Sequence, residues 1–316
     1  MTPPPPSFKL GRRGQGRATD PALDDAALAA ARDALSRGRW AEARTLLIAT
    51  HDDWDRRGHR VLVLAHAPGA LTWAHEWRLT EPDSPEAALL FGCAAVVRAM
   101  RGKGSPDRAE TAVAAAQRAA PRDPTPWLAR LLLAHHRDAP DAFRDAFDAL
   151  RERHPDHHQA HHLVTTRLAA ASPPSPHVAH PVYDFAREAA ERAPADSPLA
   201  LLPVVAHAER FRVLVGAGEV PPDPAATGHW TSRRARTAVR GAFDWWLEWG
   251  TEEGHPRRLI DLNHLAYAKY HEGRMAEAAA LFQRIGPHVT PAPWSFSGDD
   301  PHTAFRTARD HAFGLT

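Results

Sequence analysis

The sequence contains a single cysteine, Cys93. One cysteine excludes a disulfide within the chain and excludes any zinc site built from several thiolates. Cys93 stands in the apolar segment LLFGCAAVVRAM, which has the spacing of a helix. We therefore interpret it as a small core residue rather than a catalytic thiol. A chain with so little cysteine suits a reducing compartment, and we predict that the protein is cytoplasmic.

Long hydrophobic runs and an excess of either charge are also absent. No run of 18 apolar residues occurs, so we expect no membrane span and no membrane partner. The 39 basic and 38 acidic side chains give a net charge of +1. Because the two signs are interspersed, no long-range field would attract nucleic acid, and we expect none as a partner.

The common catalytic motifs are missing as well. The sequence has no glycine-rich phosphate loop, no Gly-x-Ser-x-Gly elbow and no His-Glu-x-x-His pair. The stretch RGKGSPD at 101–107 is not preceded by a strand pattern, so we interpret it as a surface turn before a helix that begins near Pro106. We predict no cofactor.

Two almost identical phrases stand near the two ends of the chain. SRGRWAEARTLL covers residues 36–47, and HEGRMAEAAALF covers residues 271–282. In each phrase a glycine separates two segments with apolar residues at helical spacing, a pattern typical of a tight turn between antiparallel helices. The sequence therefore predicts helical hairpins that turn at Gly38 and Gly273.

Prolines between these phrases indicate a repeat. Pro121 and Pro155 lie 34 residues apart, and Pro82 and Pro194 lie 39 residues further out on either side. Proline after one helix and before the next marks a boundary between helices. A period of 34 to 39 residues is typical of stacked helical pairs.

The chain resembles the tetratricopeptide repeat family at particular residues. They are the small and bulky residues of each second helix, the two turn glycines and the junction DPTPW at 123–127: Ala43, Leu46, Leu47, Ala278, Leu281, Phe282, Gly38 and Gly273. The C-terminal region also resembles bacterial tetratricopeptide-like proteins that end in a helix, a loop, a tryptophan and a final helix. The resemblance implies an all-α fold, an α-solenoid of about six or seven antiparallel helical hairpins.

Proline-rich and polar stretches divide the chain. We predict a disordered basic leader at 1–20, a helical-repeat half at 21–172, a connector at 173–181 and a second helical half at 182–316. A polar loop at 216–230 interrupts the second half and is longer than a repeat turn needs. We interpret this loop as a spacer, with a mobile lid or a recognition loop as the alternative.

A dense run of histidines, HPDHHQAHHL, is the first candidate site. It contains His154, His157, His158, His161 and His162. Residues four apart share one face of a helix, and their neutral imidazoles are ligands for zinc, copper or nickel. A metal site needs further ligands from other elements, so we favour a solvated or partly packed helix face and expect no metal. His135 and His136 on the preceding helix keep the metal alternative open.

A second candidate is an aromatic and basic helix, TSRRARTAVRGAFDWWLEWG at 231–250. Its rim offers arginine and tryptophan side chains that could stack on an extended peptide: Arg233, Arg236, Arg240, Trp245 and Trp249. Phe243, Trp246 and Trp249 follow one another at three-residue steps, which we interpret as a buried stripe. We expect a protein or peptide partner to dock on this rim if it docks on any helix edge.

Two acidic loops, GTEEGHP at 250–256 and SGDDPH at 297–302, combine carboxylates with histidine. Such a combination can serve acid/base chemistry or a hard-metal site. Both loops also precede helices, and Asp299 or Asp300 before Pro301 is a typical cap. We favour the capping interpretation.

These patterns favour a non-enzymatic adaptor or regulator that binds a partner segment in the concave groove of a helical scaffold. The alternative is a metal-dependent enzyme or metal-binding protein that uses the histidine cluster at 154–162.

Overall fold

The structure of the protein is a computed structural model. It describes residues 19–171, 180–249 and 254–315. The predicted leader at 1–20 and connector at 173–181 lie almost entirely outside these ranges. Throughout the described ranges the regular structure is helical and no β-strand occurs, so the all-α prediction is confirmed.

Eight helices form the described part of the chain before the histidine run. They are α1 (Ala26–Ser36), α2 (Ala41–Thr50), α3 (Trp54–Ala65), α4 (Ala70–Thr80), α5 (Pro85–Met100), α6 (Pro106–Ala119), α7 (Thr125–His136) and α8 (Pro140–Arg151). Most consecutive helices are joined by short turns and pack against each other, as α1 does on α2, α5 on α6 and α7 on α8.

The rest of the described chain is built in the same way. It contains α9 (His158–Ala171), α10 (Pro181–Arg192), a 3-10 turn (Pro198–Leu201), α11 (Leu202–Gly216), α12 (Pro224–Thr227), α13 (Arg233–Trp249), α14 (Arg258–His271), α15 (Met275–Ile285), α16 (Pro291–Trp294) and α17 (Pro301–Ala312). Helix α14 packs along α15, and α11 packs along α9 and α10.

The repeated phrase forms the two turns that it predicts. Gly38 lies between α1 and α2 with φ +86°, and Gly273 lies between α14 and α15 with φ +83°. These left-handed conformations favour glycine because it has no Cβ. At Gly38 a Cβ would also lie 3.0 Å from the ring of Trp73, so close packing adds a second requirement there.

Capping side chains fix where several helices begin. Ser105 accepts a hydrogen bond from the backbone N–H of Arg108, so α6 begins at Pro106 as predicted. Asp300 accepts one from the N–H of Thr303 at 2.9 Å, which confirms the cap before Pro301. Ser232 accepts one from the N–H of Ala235 at the start of α13.

Apolar side chains from neighbouring helices form the core. Cys93 is 1% exposed and packs among the side chains of α1 to α7, which confirms its interpretation as a core residue. Ala278, Leu281 and Phe282 of the second repeated phrase lie in the C-terminal core. Since each helix covers the apolar face of its neighbour, no single hairpin buries its own core.

The polar loop at 216–230 is held at its C-terminal end by packing in the core. It contains the short helix α12, and Trp230 at its end is 1% exposed in the C-terminal core. A side chain of that size would have to leave the core if the end of the loop moved as a lid.

The two ends of the described chain meet. Asp24, just before α1, forms an ion pair of 2.6 Å with Arg258 at the start of α14. Leu23 packs against the C-terminal core, and Arg56 of α3 donates a hydrogen bond to the carbonyl of Gly254. Helix α3 also packs against α9. This arrangement places the N-terminal ends of α3, α9 and α14 together.

Among the helices of the described residues, none is long and apolar enough to cross a bilayer.

Candidate functional site

Polar side chains from three distant segments gather where α3, α9 and α14 begin. We call this group the histidine–aspartate cluster, and it consists of Asp55, His154, His157, His158, His162, His255 and Asp261. Four of these residues belong to the histidine run of the sequence. The two carboxylates and His255 come from segments about a hundred residues away on either side.

Asp55 is the carboxylate on the α3 side of the cluster. Its Oδ1 accepts a hydrogen bond of 2.9 Å from the backbone N–H of His158 and so caps α9 from another helix. Its Oδ2 lies 3.0 Å from Nε2 of His154 and 3.7 Å from Nε2 of His255. One carboxylate therefore contacts the turn before α9 and the turn before α14.

Gly58, one turn after Asp55 on α3, lies against the turn before α9. A Cβ at this position would be 3.3 Å from the side chain of Leu128 and 3.4 Å from Nε2 of His157, which is an ordinary van der Waals distance. The His157 ring packs beside Gly58 with no exposed surface.

Asp261 is the carboxylate on the α14 side of the cluster. Its Oδ2 lies 2.7 Å from Nε2 of His158, and its Oδ1 lies 3.2 Å from Nε2 of His162. The rings of these two histidines are 4.1 Å apart, since residues four apart lie on one helix face. The ring of His255 lies 4.7 Å from that of His158 on the other side.

Burial and charge set the protonation of the cluster. Burial alone would raise the pKa of Asp261, but His158 and His162 outweigh it and hold that pKa well below its usual range. The histidines around Asp55 lower its pKa in the same way. Burial lowers the pKa of His158 well below 6.5 and that of His157 to about 4. At neutral pH the carboxylates are ionised and these two imidazoles are neutral.

His154 differs from its neighbours. Burial alone would lower the pKa of His154, but the carboxylate of Asp55 outweighs it and raises the pKa. The guanidinium of Arg257 lies near both Asp55 and Asp261. Arg257 and a protonated His154 can therefore balance the two carboxylates, so charge alone does not require a bound cation.

Two buried ring nitrogens of the cluster, Nδ1 of His158 and Nε2 of His157, have no hydrogen-bond partner. Other ring nitrogens of the cluster lie near a carboxylate oxygen without forming a well-aligned hydrogen bond. Nε2 of His162 is 3.2 Å from Oδ1 of Asp261, and Nδ1 of His157 is 3.3 Å from Oδ1 of Asp55. Buried polar groups in folded proteins are almost always satisfied. The unpartnered nitrogens are therefore candidates for contact with a ligand.

Three residues of the cluster have the arrangement of a metal site. One ligand atom each from His158, His255 and Asp261 can be chosen so that all three lie within 4.8 Å of one another. Ligand atoms at about 2.1 Å from the ion in a tetrahedral site lie about 3.4 Å apart, so the longest of these spacings would have to shorten by up to about 1.4 Å on binding. Neutral imidazoles and an ionised carboxylate are the forms that bind metal.

The other histidine candidates lie elsewhere. His161 faces away from the cluster: its ring packs between Phe147 and Phe185, and its Nδ1 contacts the carbonyl of His157. The ring of His135 packs near Phe143. The histidine face of α9 is thus packed rather than solvated, since His157, His158, His161 and His162 are at most 9% exposed.

The arginine and tryptophan candidates of α13 lie on a different surface. Arg233, Arg236 and Arg240 are exposed, and the indole N–H of Trp245 donates a hydrogen bond of 2.7 Å to the carbonyl of Ala195. Trp249 is 42% exposed, so its assignment to a buried stripe is wrong. The buried residues of α13 are Ala235, Val239 and Ala242, with Phe243 and Trp246 half-buried beside them.

Comparison of the sequence with family models and with curated proteins found no match. The described residues form an all-helical protein with a buried histidine–aspartate cluster.

Proposed function

We propose that the protein binds one divalent transition-metal ion through His158, His255 and Asp261. The observation that carries this proposal is the convergence of the three ligand atoms within 4.8 Å of one another in a buried cluster. Two imidazoles and one carboxylate suit zinc, nickel, copper or ferrous iron better than calcium or magnesium, which prefer oxygen ligands. Three protein ligands also leave a coordination position for water.

The residues around the three ligands support the same proposal. Metal-binding side chains are usually oriented by a second layer of polar groups. His162 lies 3.2 Å from the oxygen of Asp261 that does not contact His158. Asp55 lies 3.7 Å from Nε2 of His255 and also caps α9, which carries His158. Both groups are placed to hold the ligands in position.

The proposal is tested by elemental analysis of protein purified without a histidine tag and then dialysed against Zn²⁺. We expect one ion per chain in the wild type and a substoichiometric amount in His158→Ala and Asp261→Asn, because each change removes a ligand. His161→Ala is the matched control, since it removes a histidine from the same helix outside the cluster. A wild type without stoichiometric metal, or a His161→Ala protein that loses it equally, contradicts the proposal.

We further propose that the helices form an α-solenoid of about six or seven antiparallel hairpins and that a protein partner binds to it. The packing of consecutive helices and the glycine turns at both ends support this arrangement. It remains a prediction that a partner segment binds in the concave groove. The exposed rim of α13 is the surface that a specific observation favours, since Leu247 is 58% and Trp249 is 42% exposed on the helix whose first half carries the exposed Arg233, Arg236 and Arg240.

The arginines of this rim favour a partner segment that carries acidic and apolar side chains. Capture from the native host with the wild type and with Arg233→Glu/Arg236→Glu/Arg240→Glu tests this surface. We expect a partner that the wild type retains and the triple variant loses. Arg187→Glu on α10, which is also exposed, is the control. A partner retained equally by both variants would place its binding site elsewhere.

A further inference from the structure

We infer that the bound ion joins the two ends of the helical array, so that metal binding controls whether α1–α3 stays attached to α14. This inference depends on the proposed metal site and assigns it a regulatory effect. The ligands themselves come from α9, from the turn before α14 and from α14. An ion held by all three fixes the position of the C-terminal helices on α9.

Asp55 extends this connection to the N-terminal helices. It lies on α3 and contacts the backbone N–H of His158 and the ring of His255. Both of those residues are proposed ligands. A carboxylate that contacts two ligands from different segments can hold α3 in place only while those ligands keep their positions.

The other contacts between the chain ends include one apolar side chain, because Leu23 packs against the C-terminal core. Asp24 and Arg258 form an ion pair whose side chains are 31% and 21% exposed, and Arg56 donates to the carbonyl of Gly254. Partly exposed ion pairs of this type contribute little to stability. Helix α14 packs its apolar side chains along α11, α13, α15 and α16. The cluster is therefore the buried polar part of the attachment of α1–α3 to α14.

Without the ion, the cluster keeps buried ring nitrogens that have no partner. Opening of the joint between α3 and α14 lets water reach these atoms and the two carboxylates. Water thus competes with the closed arrangement in the metal-free protein, whereas the ion binds His158, His255 and Asp261 together only when the joint is closed.

Paired spin labels measure this closure directly. Ala49→Cys on α2 and Ala280→Cys on α15 place labels at exposed alanines on opposite sides of the joint. The native Cys93 is buried and does not react with the label. We expect one narrow distance distribution with Zn²⁺ and a broader, longer distribution after the metal is removed by a chelator.

Two controls accompany this measurement. The pair Ala49→Cys/Ala119→Cys lies within α1–α8, and its distance distribution should be the same with and without Zn²⁺. Asp261→Asn in the first pair should give the broad distribution in both conditions, because the variant lacks a ligand.

Elemental analysis of the same samples separates the two proposals. A wild-type protein that binds one Zn²⁺ per chain and shows the same narrow distribution in both states overturns the closure inference and leaves the metal site intact. A protein that binds no Zn²⁺ overturns both. Bound metal together with a distribution that narrows only in its presence supports both.

Discussion

His158 and His161 are neighbours in sequence with different environments, and the helical period explains why. Residues four apart share a helix face, so the contact between the rings of His158 and His162 could be predicted from spacing alone. His161 lies on another face of α9, against Phe147 and Phe185. Spacing therefore identifies which histidines lie together but not which face is buried against which partner.

Asp55 and Asp261 could not be identified in this way. Each is 103 residues from His158, and their approach depends on how α3 and α14 pack against α9. Each looks in sequence like an ordinary acidic residue near the start of a helix. The stretch GTEEGHP at 250–256 did signal His255 as a possible ligand, although capping was the favoured interpretation.

Arg57 gives a stability prediction at the scale of a residue. Its guanidinium donates to Asp123 at 2.7 Å, to Glu86 at 3.2 Å and to the carbonyl of Leu47 at 3.0 Å. Arg57→Met leaves two carboxylates without this partner, and the Asp123 side chain is only 2% exposed. We expect a loss of about 3–5 kcal/mol in the free energy of unfolding, measured in urea.

The matched control is Arg187→Met, at a pair with Glu191 whose side chains are 55% and 60% exposed. It should change the free energy of unfolding far less than Arg57→Met does, because water screens the pair. If both variants lost the same free energy of unfolding, burial of the Arg57 network would not determine how much that network contributes to stability.

At the scale of the element, hairpin turns were the most predictable feature. Gly38 and Gly273 need left-handed backbone, a local requirement that the sequence shows directly. The contact of Gly38 with Trp73 depends on how α4 packs near this turn and has no local signal.

The stripe of α13 was predicted wrongly for a geometric reason. Steps of three residues fall about 60° short of a full turn, so Phe243, Trp246 and Trp249 drift around the helix instead of sharing one face. The observed buried positions, Ala235, Val239 and Ala242, alternate steps of four and three and stay on one side. The three-residue spacing of the aromatic residues suggested a core stripe, whereas Ala235, Val239 and Ala242 form it.

Ala278 gives the prediction at this scale. It is fully buried on α15, where its small side chain lets the helix pack closely in the C-terminal core. Ala278→Leu should lower the free energy of unfolding by about 1–3 kcal/mol because the added atoms overpack the joint.

Ala280→Leu, at an exposed position two residues later, should change it by less than about 0.5 kcal/mol. Thermal unfolding of both variants checks the difference; an unchanged melting temperature in Ala278→Leu contradicts the close packing.

At the scale of the whole molecule, buried histidines outside the cluster predict sensitivity to acid. Burial lowers the pKa of His207 to about 3 and those of His229 and His271 to about 4. Between pH 6.5 and these values the unfolded chain binds more protons than the folded protein. Stability should therefore fall as the pH drops through this range, by up to about 1.4 kcal/mol per pH unit for each histidine.

Urea unfolding at pH 7 and pH 5 measures this loss. His207→Phe keeps an aromatic ring beside Tyr183 and removes one titrating group, so its stability should depend less steeply on pH. Carboxylates whose pKa the fold lowers, such as Asp25, contribute losses only at lower pH. Equal stabilities of the wild type at pH 7 and pH 5 would contradict the burial of these neutral rings.

The all-helical class and the stacking of neighbouring helices followed from proline spacing and helical periodicity, both of which are local patterns. The meeting of the chain ends did not, because it depends on how helices that are distant in sequence pack against one another. The cluster lies where those ends meet. Its ligand set was therefore visible in sequence only in part, through the histidines of α9.

The central claim is that His158, His255 and Asp261 hold one metal ion. Anomalous diffraction at the zinc absorption edge, from crystals grown with Zn²⁺, tests it most directly. We expect one dominant anomalous peak, about 2.0–2.2 Å from the ligand atoms of all three residues. Crystals of Zn²⁺-treated protein without a peak there, or with peaks only at histidines outside the cluster, would contradict it.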